Sequence, residues 1–591
     1  MKKNFLNIAE FIDYLDKIGE LKRIKEEVSP IIEISKYTDI ESKAEGGGKA
    51  LLFENVIDNG KKSFPVATNL FGSQKRMAIA LGLENLDDAG KEIQELLNTQ
   101  PPASLTDKIK MLFKLMPLAK VTPKMVKNAP CQELIFTGED IDLSEIPVLK
   151  CWPHDGGRFV TFPLVFTKSP VDNRRNLGMY RLQIFDKNTT GMHWHIHKDA
   201  SHYYNEYVQR GERMPVAVAI GADPSIIYAA TAPMPRGIDE ILLAGFFRKE
   251  GVEMVKCKTI DLEVPANAEF VLEGYVEPAE RRLEGPFGDH TGYYSLADMY
   301  PVFHLTAITR KRNPIYCATL VGPPPMEDCY MAKATERIFL PLLRTVLPEI
   351  KDYFLPWEGV FHNIVIVSID KEYPAHAQRL MSALWGQGQM SFCKAIVVVD
   401  KDVNPSDLNK VWNLLINNFD PQNDITISYG VLDVLDHSSP KAYAGAKIGI
   451  DLTTRIQGED ARNINKLECI SKETQNDMKK WIFENIDDVF DIVFNNGSVA
   501  ISIDKTNRSG KEILNKLLQY TQLHKYARSV CLFDKEVNIH NVSKKMWKLF
   551  NNTDPSRDII IEKSLILIDA CKKNKADGHQ REWPDDLSFD K

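Results

Sequence analysis

The chain has 591 residues, of which 43% are hydrophobic and 26% charged, and its formal net charge is -7. A chain of this length is several times longer than one ordinary domain, so about two to four hydrophobic cores are expected. The composition is that of a globular protein. Because the net charge is negative, no overall basic field exists to attract nucleic acid or anionic membranes, and neither is an expected partner.

The N-terminal segment predicts an amphipathic helix within a small α/β region. Phe5, Ile8, Phe11, Ile12 and Leu15 recur at helical spacing without a continuous apolar core, which excludes a signal peptide. We expect this first domain to cover residues 1–100 and to end at the turn-forming segment NTQPPASL. No apolar run approaches the ~20 residues that span a bilayer. The nine cysteines are scattered singly, which favours a reducing, cytoplasmic setting.

Residues 125–325 predict a strand-rich second region. Short runs such as PVAVAIGA and FVLEGYVEP are β-branched or aromatic and are bounded by turn residues, as strands are. GMYRLQIFD is predicted to be one such strand, with Arg181 at its middle, and GMHWHIHK another. One helix, GIDEILLAGFFRKE, interrupts them. The pattern indicates a β-barrel or sandwich with an inserted helix, and an α+β fold for the whole chain.

The C-terminal part of the sequence contains an internal repeat. SIDK at 368–371 recurs at 502–505, and VVVDKDVN at 397–404 recurs as CLFDKEVN at 531–538 with unchanged spacing. We therefore predict a duplicated βαβ unit with copies at 364–455 and 499–573. The corresponding domains are a C-terminal α/β domain over 330–490 and a second repeat with a tail over 496–591. Only the first copy carries the loop HSSPKAYAGAK, which is either a functional segment or neutral surface variation.

The central region contains candidate metal ligands. His193, His195 and His197 alternate, so a strand would place them on one face, either as a metal-binding cluster or as ordinary packing residues. A single histidine joined by oxygen ligands would instead suit a harder cation such as Mn²⁺, Mg²⁺ or K⁺. Asn176 and Glu240 are candidates for those oxygen ligands.

The same region contains a candidate acid and base network. Arg181 lies among residues that favour burial, and a buried arginine needs an anionic partner. Glu284 and Asp289, on either side of a Pro-Phe-Gly turn in EGPFGDHTGYY, are natural partners, and so is a carboxylate or phosphate of a ligand. The arginine's charge would decide which of the two acids holds a proton. A glycosidase-type acid pair is disfavoured because it leaves the buried arginine without a role.

Six segments of the sequence occur in an order that resembles one enzyme family. They are NLGMYRLQ, HIHKD, PRGIDE, EGPFGDHTGYY, VVVDKDV and REWP. Together they resemble the UbiD family of (de)carboxylases, which use prenylated flavin mononucleotide (FMN), and the resemblance runs from GELKRI to REWPDDL. It implies three parts: an N-terminal α/β region, a split β-barrel related to flavin reductases that holds the cofactor, and a C-terminal α/β domain used in oligomerisation.

The resemblance also implies a cofactor site. Asn176, His197 and Glu240 match the family's ligands for a divalent metal, Mn²⁺ or Mg²⁺, which clamps the cofactor phosphate with a monovalent ion such as K⁺ nearby. Thr161 and Arg181 match positions that contact the cofactor. A flavin prenyltransferase is the implied supplier of the prenylated FMN.

The resemblance assigns catalysis to Arg181, Glu284 and Asp289. The ferulic acid decarboxylase branch has Glu where this chain has Asp289, so proton delivery is expected to differ here. The phosphate-contacting lysine of that branch is missing from WGQGQMSF, and Lys441 or Lys447 is a candidate replacement.

The implied activity is the reversible, non-oxidative decarboxylation of an aromatic or α,β-unsaturated carboxylic acid, such as a hydroxybenzoate or quinone precursor. The expected assembly is a homodimer or a higher homo-oligomer. Two alternatives are a flavin-binding oxidoreductase of the split-barrel class and a non-catalytic assembly protein. An oxidoreductase would need a nicotinamide site, but the sequence has no GxGxxG fingerprint after a strand. An assembly protein would leave Arg181 and its two acids without a role.

Overall fold

A computed structural model describes residues 4–97, 120–194, 199–235 and 237–590. The chain divides into two compact units, residues 1–338 with 585–591 and residues 339–584. Segment NTQPPASL, the predicted end of the first domain, lies outside the described residues, as do His195 and His197. Among the helices of the described ranges, none is both long and apolar enough to cross a membrane.

The first unit begins with the predicted amphipathic helix, Ile8–Lys17, whose apolar side chains are buried. It packs against a mixed sheet whose strands, in spatial order, are Leu21–Val28, Ala50–Asp58, Val66–Thr68 and Tyr316–Cys317, with Lys61–Lys62 paired to the second strand. The helices Glu33–Ser42, Gln74–Ala80 and Asp87–Leu97 belong to the same region. Because Tyr316–Cys317 comes from the end of the predicted second domain, the first two predicted domains share this sheet.

The centre of the first unit is a seven-stranded antiparallel sheet. Its strands in spatial order are Thr189–Gly191, Asp298–Arg310, Phe270–Glu284, Met214–Ile220, Pro163–Lys168 and Arg175–Gly178, with Leu134–Thr137 paired to Asp298–Arg310. Smaller sheets join Lys124–Val126, Glu253–Lys256 and Glu263–Pro265; Phe159–Val160 and Leu182–Gln183; and Phe287–Gly288 and Tyr294–Ser295. Buried aliphatic and aromatic side chains of these strands form one continuous core.

Two details of the central region differ from the sequence prediction. GMYRLQIFD is not one strand, since Arg181 lies in the gap between Arg175–Gly178 and Leu182–Gln183. Among the described residues of this region, three α-helices occur rather than one: Asp199–Arg210, Pro224–Ala229 and the predicted Glu240–Arg248. The first was missed because its apolar face is built from tyrosines such as Tyr203 and Tyr207, which are buried at helical spacing but are typical of strands.

The second unit contains two five-stranded sheets with the same strand order. The first sheet is Ile350–Phe354, Ile364–Ile369, Ala395–Asp400, Ala444–Asp451 and Ile425–Val431 in spatial order. The second is Val489–Asn495, Ser498–Ile503, Ser529–Asp534, Leu565–Asp569 and Ile559–Glu562. Each has antiparallel outer strands around a parallel centre. The helices are Glu327–Val346, which begins in the first unit, and His376–Leu384, Leu408–Asn417, Lys472–Asn485, Gly510–Leu517, Leu523–Tyr526, Val542–Asn552 and Pro555–Asp558.

The two sheets of the second unit contact each other through an apolar face. Ile364, Ile366 and Val397 of the first sheet share a core with Ile566 of the second. An apolar cavity of about 630 Å³ lies at this junction and is lined by residues of both sheets. The first sheet is therefore packed against the second within a single chain.

The loop HSSPKAYAGAK of the first sheet also lies at this junction. The Ser438 hydroxyl donates to the Thr553 carbonyl oxygen at 3.2 Å, and Arg557 donates to the Ser438 carbonyl oxygen at 2.8 Å. The start of this loop therefore holds the two sheets together.

Two predicted boundaries in the C-terminal half are shifted. Helix Lys472–Asn485, placed with the first repeat by the sequence, buries Met478 and Ile482 in the core of the second sheet. The tail from Asp585 onward, placed with the second repeat, belongs to the first unit. There Leu587 joins the central core, which explains why the tail leaves its neighbours in sequence.

Candidate active site

The segment EGPFGDHTGYY forms the end of a long strand and a short hairpin. Glu284 is the last residue of Phe270–Glu284, and Phe287–Gly288 pairs with Tyr294–Ser295. Gly285 joins the two at φ +97, a backbone conformation that residues with a side chain rarely adopt. Asp289 begins the turn, where its amide donates to the Tyr293 carbonyl oxygen at 3.0 Å. The turn thus places the two acids at neighbouring points rather than along one strand.

Arg181 bridges these two acids, as its sequence context predicts. Its Nε lies 3.0 Å from Glu284 Oε1 and its Nη1 lies 2.5 Å from Asp289 Oδ2. Its Nη2 donates to Ser295 Oγ at 3.0 Å, and its guanidinium lies 4.5 Å from the centre of the Phe287 ring. The Arg181 side chain is only 9% exposed and that of Glu284 is fully buried. All three guanidinium nitrogens are occupied, so Arg181 fixes the acids in place.

Both carboxylates are ionised near neutral pH in this arrangement. Burial raises the pKa of Glu284, but the Arg181 charge and a hydrogen bond from His193 outweigh it and leave the pKa below its ordinary value. Burial likewise raises the pKa of Asp289, but His290 and Arg181 lower it far more. The sequence had suggested that one acid keeps a proton. In the structure neither acid keeps a proton, because each contacts an imidazole in addition to the shared arginine.

The two imidazoles are residues that sequence reasoning did not assign to the site. The strand predicted for GMHWHIHK ends at Gly191, and His193 instead places Nδ1 2.7 Å from Glu284 Oε1 and stacks on Tyr300. Burial and the Arg181 charge lower the pKa of His193. His290 places Nδ1 2.9 Å from Asp289 Oδ1, and its side chain is 26% exposed.

Sequence adjacency to Asp289 is the signal that could have identified His290. His193 had no such signal, because it is 91 positions from Glu284.

The back of the hairpin rests on an acid, a tryptophan and the C-terminal tail. Asp155 accepts hydrogen bonds from the amides of Trp152 at 2.8 Å and Gly288 at 2.7 Å. Burial raises the pKa of Asp155 to about 6. The Trp152 ring stacks on Phe589 at 4.3 Å between centroids, and the Leu587 amide donates to the turn at 3.0 Å. These contacts hold the hairpin in addition to those of Arg181.

Two of the three predicted metal ligands lie close together. The Asn176 amide group donates to Thr167 Oγ1 at 3.3 Å, and the next residue, Leu177, donates its backbone N–H to Glu240 Oε2 at 2.9 Å. Burial raises the pKa of Glu240 to about 7. A bound cation would stabilise the charged form of this carboxylate. The third predicted ligand, His197, lies outside the described residues, and within the described ranges no three His, Cys, Asp or Glu side chains form a metal-binding group.

Thr161 lies near Arg181 through the strand pairing. Its neighbour Val160 pairs with Leu182, which adjoins Arg181. The Thr161 hydroxyl oxygen accepts a hydrogen bond from the Thr319 amide at 3.2 Å, and the Thr161 side chain is buried.

The lysines considered as phosphate ligands belong to the second unit. Lys447 is buried and donates to the carbonyl oxygens of Ser391 and Cys393, the latter at 2.9 Å. Burial lowers its pKa to about 8. Lys447 therefore ties the end of WGQGQMSF to the sheet, whereas Lys441 is exposed.

Comparison with known proteins places the whole chain in one family. Family models of the 3-octaprenyl-4-hydroxybenzoate carboxy-lyase match it over the N-terminal domain at 12–97, the Rift-related domain at 124–324 and the C-terminal domain at 329–452 and 479–575. An uncharacterized protein of Aquifex aeolicus is 49% identical over 78% of this chain and 94% of its own length. One of Helicobacter pylori strain J99 is 39% identical over 98% of this chain and 93% of its own length.

Solved structures of related enzymes have the same fold. The vanillic acid decarboxylase of Sedimentibacter hydroxybenzoicus, in closed form, has a TM-score of 0.68 at 27% identity over 81% of this chain and 98% of that chain. HmfF of Pelotomaculum thermopropionicum in complex with FMN, described as a UbiD-class enzyme, has a TM-score of 0.65 at 27% identity, with 81% of this chain and 100% of that chain covered. With three family models in order and relatives matched over nearly their full length, this chain belongs to the UbiD family and is a carboxy-lyase.

Proposed function

We propose that this carboxy-lyase decarboxylates an aromatic or α,β-unsaturated carboxylic acid, reversibly and without net oxidation, with prenylated FMN as its cofactor. The substrate class is a hydroxybenzoate or another quinone precursor. Two structures of HmfF, one with FMN and one with prenylated FMN, support the cofactor, and the vanillic acid decarboxylase supports an aromatic acid.

One observation carries the proposal. Glu284 Oε2 is buried and has no hydrogen-bond partner, although the other oxygen of the same carboxylate has two. An unpaired buried acceptor costs about 1–3 kcal/mol, so this oxygen is expected to face a donor that arrives with a ligand. Glu284 Oε2 lies directly over Gly191, where a Cβ atom would come within 2.9 Å of it. The geometry supports a site that is completed by its ligand.

The residues proposed to hold the cofactor are Thr161, Asn176, Arg181, His197 and Glu240. Asn176, His197 and Glu240 would bind it through Mn²⁺ or Mg²⁺, with K⁺ nearby, since one nitrogen and two oxygen ligands suit these ions better than zinc. The buried position of the Glu240 carboxylate, beside Asn176 through the Leu177 amide, supports this assignment. When bound, prenylated FMN supplies the sink for the electron pair that remains after the bond to the carboxyl group breaks.

The protein's own residues then orient and protonate the reacting carbon. Arg181 keeps Glu284 and Asp289 at fixed positions and compensates part of their charge. CO₂ leaves as the carbon–carboxyl bond breaks, and Asp289 transfers one proton to the carbon. In the reverse direction Asp289 accepts that proton and CO₂ is added.

The proposed function is tested on protein produced together with a flavin prenyltransferase, the proposed cofactor supplier. The purified protein should show the absorbance and the mass of prenylated FMN, and it should release CO₂ from hydroxybenzoate-type acids. Protein from cells without the prenyltransferase is the control and should release none. Equal CO₂ release from both preparations would contradict the cofactor assignment.

We also propose how the domains of this chain correspond to those of the family. The antiparallel central sheet is proposed to be the family's split β-barrel, and the two C-terminal sheets to be duplicated copies of one unit. Matched ion pairs support the duplication: Lys371 with Asp451 and Glu459 in the first sheet, and Lys505 with Asp569 and Asp577 in the second.

We propose a cytoplasmic homodimer or higher homo-oligomer, which light scattering on the intact chain tests.

A further inference from the structure

Each decarboxylation consumes one proton, and the proposed donor does not hold one at rest. Asp289 accepts hydrogen bonds from Arg181 at Oδ2 and from the His290 amide at Oδ1, and His290 Nδ1 lies 2.9 Å from the same Oδ1. Both of its oxygens are therefore engaged as acceptors, and its carboxyl group is ionised. A neighbouring group has to supply a proton to Asp289 in every cycle.

The contacts of Asp289 limit which group this can be. Of the side chains that hydrogen-bond to Asp289, Arg181 does not release its proton in proteins. The other is the imidazole of His290, with Nδ1 2.9 Å from Oδ1. This distance is within the range for direct proton transfer between heavy atoms. The geometry selects His290.

The second imidazole of the site provides an internal contrast. His193 makes a similar contact with Glu284, but its side chain is 5% exposed and stacked on Tyr300. The His290 side chain is 26% exposed, while that of Asp289 is 10% exposed. His290 therefore extends from the buried acid toward a more accessible position, where a proton can be replaced.

A third titratable group interacts electrostatically with this pair. Asp328, the second residue of helix Glu327–Val346, is partly buried, and its buried Oδ2 atom has no hydrogen-bond partner. Burial raises the pKa of Asp328 to about 6, while the positive charge of His290 lowers it and the negative charge of Asp289 raises it. A carboxyl group in this position stabilises the protonated form of His290.

We propose that His290 is a proton-relay residue that returns to Asp289, through Nδ1, the proton consumed in each decarboxylation, with Asp328 supporting its protonated form. The carbon–carboxyl bond breaks and CO₂ leaves. The imidazolium of His290 gives its proton to the Asp289 carboxylate, the carbon takes that proton from the Asp289 carboxyl group, and solvent restores the imidazolium. The net change is consumption of one proton per CO₂ released. This inference rests on the proposed function.

The test uses holoenzyme whose wild-type form has been shown to release CO₂. His290→Asn keeps a side-chain donor for Asp289 but cannot relay a proton, so kcat should fall by about 10²-fold with unchanged flavin content. Added imidazole should restore at least tenfold of the loss. His304→Asn is the matched control, because His304 also pairs with a carboxylate, Glu280, and is 24% exposed, yet lies outside the site. It should retain wild-type activity.

The pH profile separates relay from positioning. Wild-type kcat should decline at high pH, because the relay needs a protonated imidazole, and this decline should be missing in His290→Asn. Asp328→Asn should move the decline in kcat to lower pH, because removing the carboxyl group makes the protonated imidazole less stable. His290→Gln is the second variant if His290→Asn does not fold.

Three results would overturn the relay. They are a wild-type kcat and pH profile in the His290 variants, a loss that imidazole does not rescue, and an equal loss in His304→Asn. Absence of CO₂ release by wild-type holoenzyme would instead overturn the proposed function.

Discussion

Buried ion clusters occur in both units, but they differ in what they leave unsatisfied. In the second unit, Lys505 lies between Asp569 and Asp577, and every oxygen of the two carboxylates has a partner. In the first unit, Arg181 lies between Glu284 and Asp289, and Glu284 Oε2 has none. Buried charge alone therefore does not mark a functional site. The unpaired oxygen of Glu284 is what distinguishes the Arg181 cluster from the Lys505 cluster, and burying it without a donor costs folding free energy.

The largest effect is expected from breaking the satisfied cluster. Lys505→Met leaves Asp569 and Asp577 buried without their shared cation, so the free energy of unfolding should fall by about 3–5 kcal/mol. Denaturant unfolding measures this change. The CO₂ release per folded molecule should equal that of wild type, and a fall in that activity with unchanged stability would reverse the roles assigned to the two clusters.

A smaller effect, on turnover, is expected from the unsatisfied cluster. Glu284→Gln removes a charged acceptor that binds Arg181 and His193, and hydrogen bonds to charged groups contribute about 1.5–3 kcal/mol. Turnover should fall about 10- to 100-fold. Steady-state CO₂ release measures it. Glu277→Gln, at a partly exposed position of the same strand, is the control and should have no effect.

The metal assignment gives a separate test of the first unit. His197→Ala should lower both bound metal and flavin content, since it removes the only nitrogen ligand of the proposed site. Metal analysis and flavin absorbance on one preparation measure this. His202→Ala, at an exposed position on the nearby helix, should leave both unchanged. Normal metal and flavin in His197→Ala would contradict the assignment.

The pH dependence of stability should reflect the satisfied cluster. Burial raises the pKa of Asp569, but the charges of Lys573 and Lys505 outweigh it, so the pKa in the folded state lies below the unfolded value of about 3.9. Its contribution is present above that value and is lost as the pH falls further. Urea unfolding between about pH 5 and pH 2 should show a declining free energy of unfolding. Lys505→Met should weaken this decline, and an unchanged slope would exclude Lys505 as its cause.

The smallest effect is expected at the C-terminal tail. Phe589→Ala removes the ring stacked on Trp152 behind the hairpin, and such aromatic pairs contribute about 0.5–1.5 kcal/mol. Turnover should fall about two- to tenfold with normal flavin content. Phe490→Ala removes a phenylalanine that is 59% exposed and should have no effect. Equal activity of the two variants would separate the tail from catalysis.

The sequence predicted contacts and elements correctly where a short motif determines them. Glu284 and Asp289 are five positions apart, so their shared contact with Arg181 could be predicted from one motif and one buried arginine. The helix Ile8–Lys17 was also visible as a local pattern. The Asp199–Arg210 helix was not, because aromatic residues obscure its periodicity.

Contacts between distant segments that carry no motif could not be predicted. The C-terminal tail reaches the hairpin only through tertiary packing, and it carries no local pattern that points there. The ionisation state of the two acids could not be predicted from the sequence either, because the low pKa of Asp289 depends on the positions of both Arg181 and His290.

The most direct test of the central claim is CO₂ release and flavin content measured on the same preparation of Asp289→Asn holoenzyme. Asparagine keeps the shape of the side chain but cannot transfer the proton, so the rate should fall by about 10²-fold or more while flavin content stays near wild type. Asp261→Asn, at a position whose side chain is 84% exposed, is the control. A wild-type rate with normal flavin content in Asp289→Asn would show that the proton reaches the carbon by another route and would contradict the account.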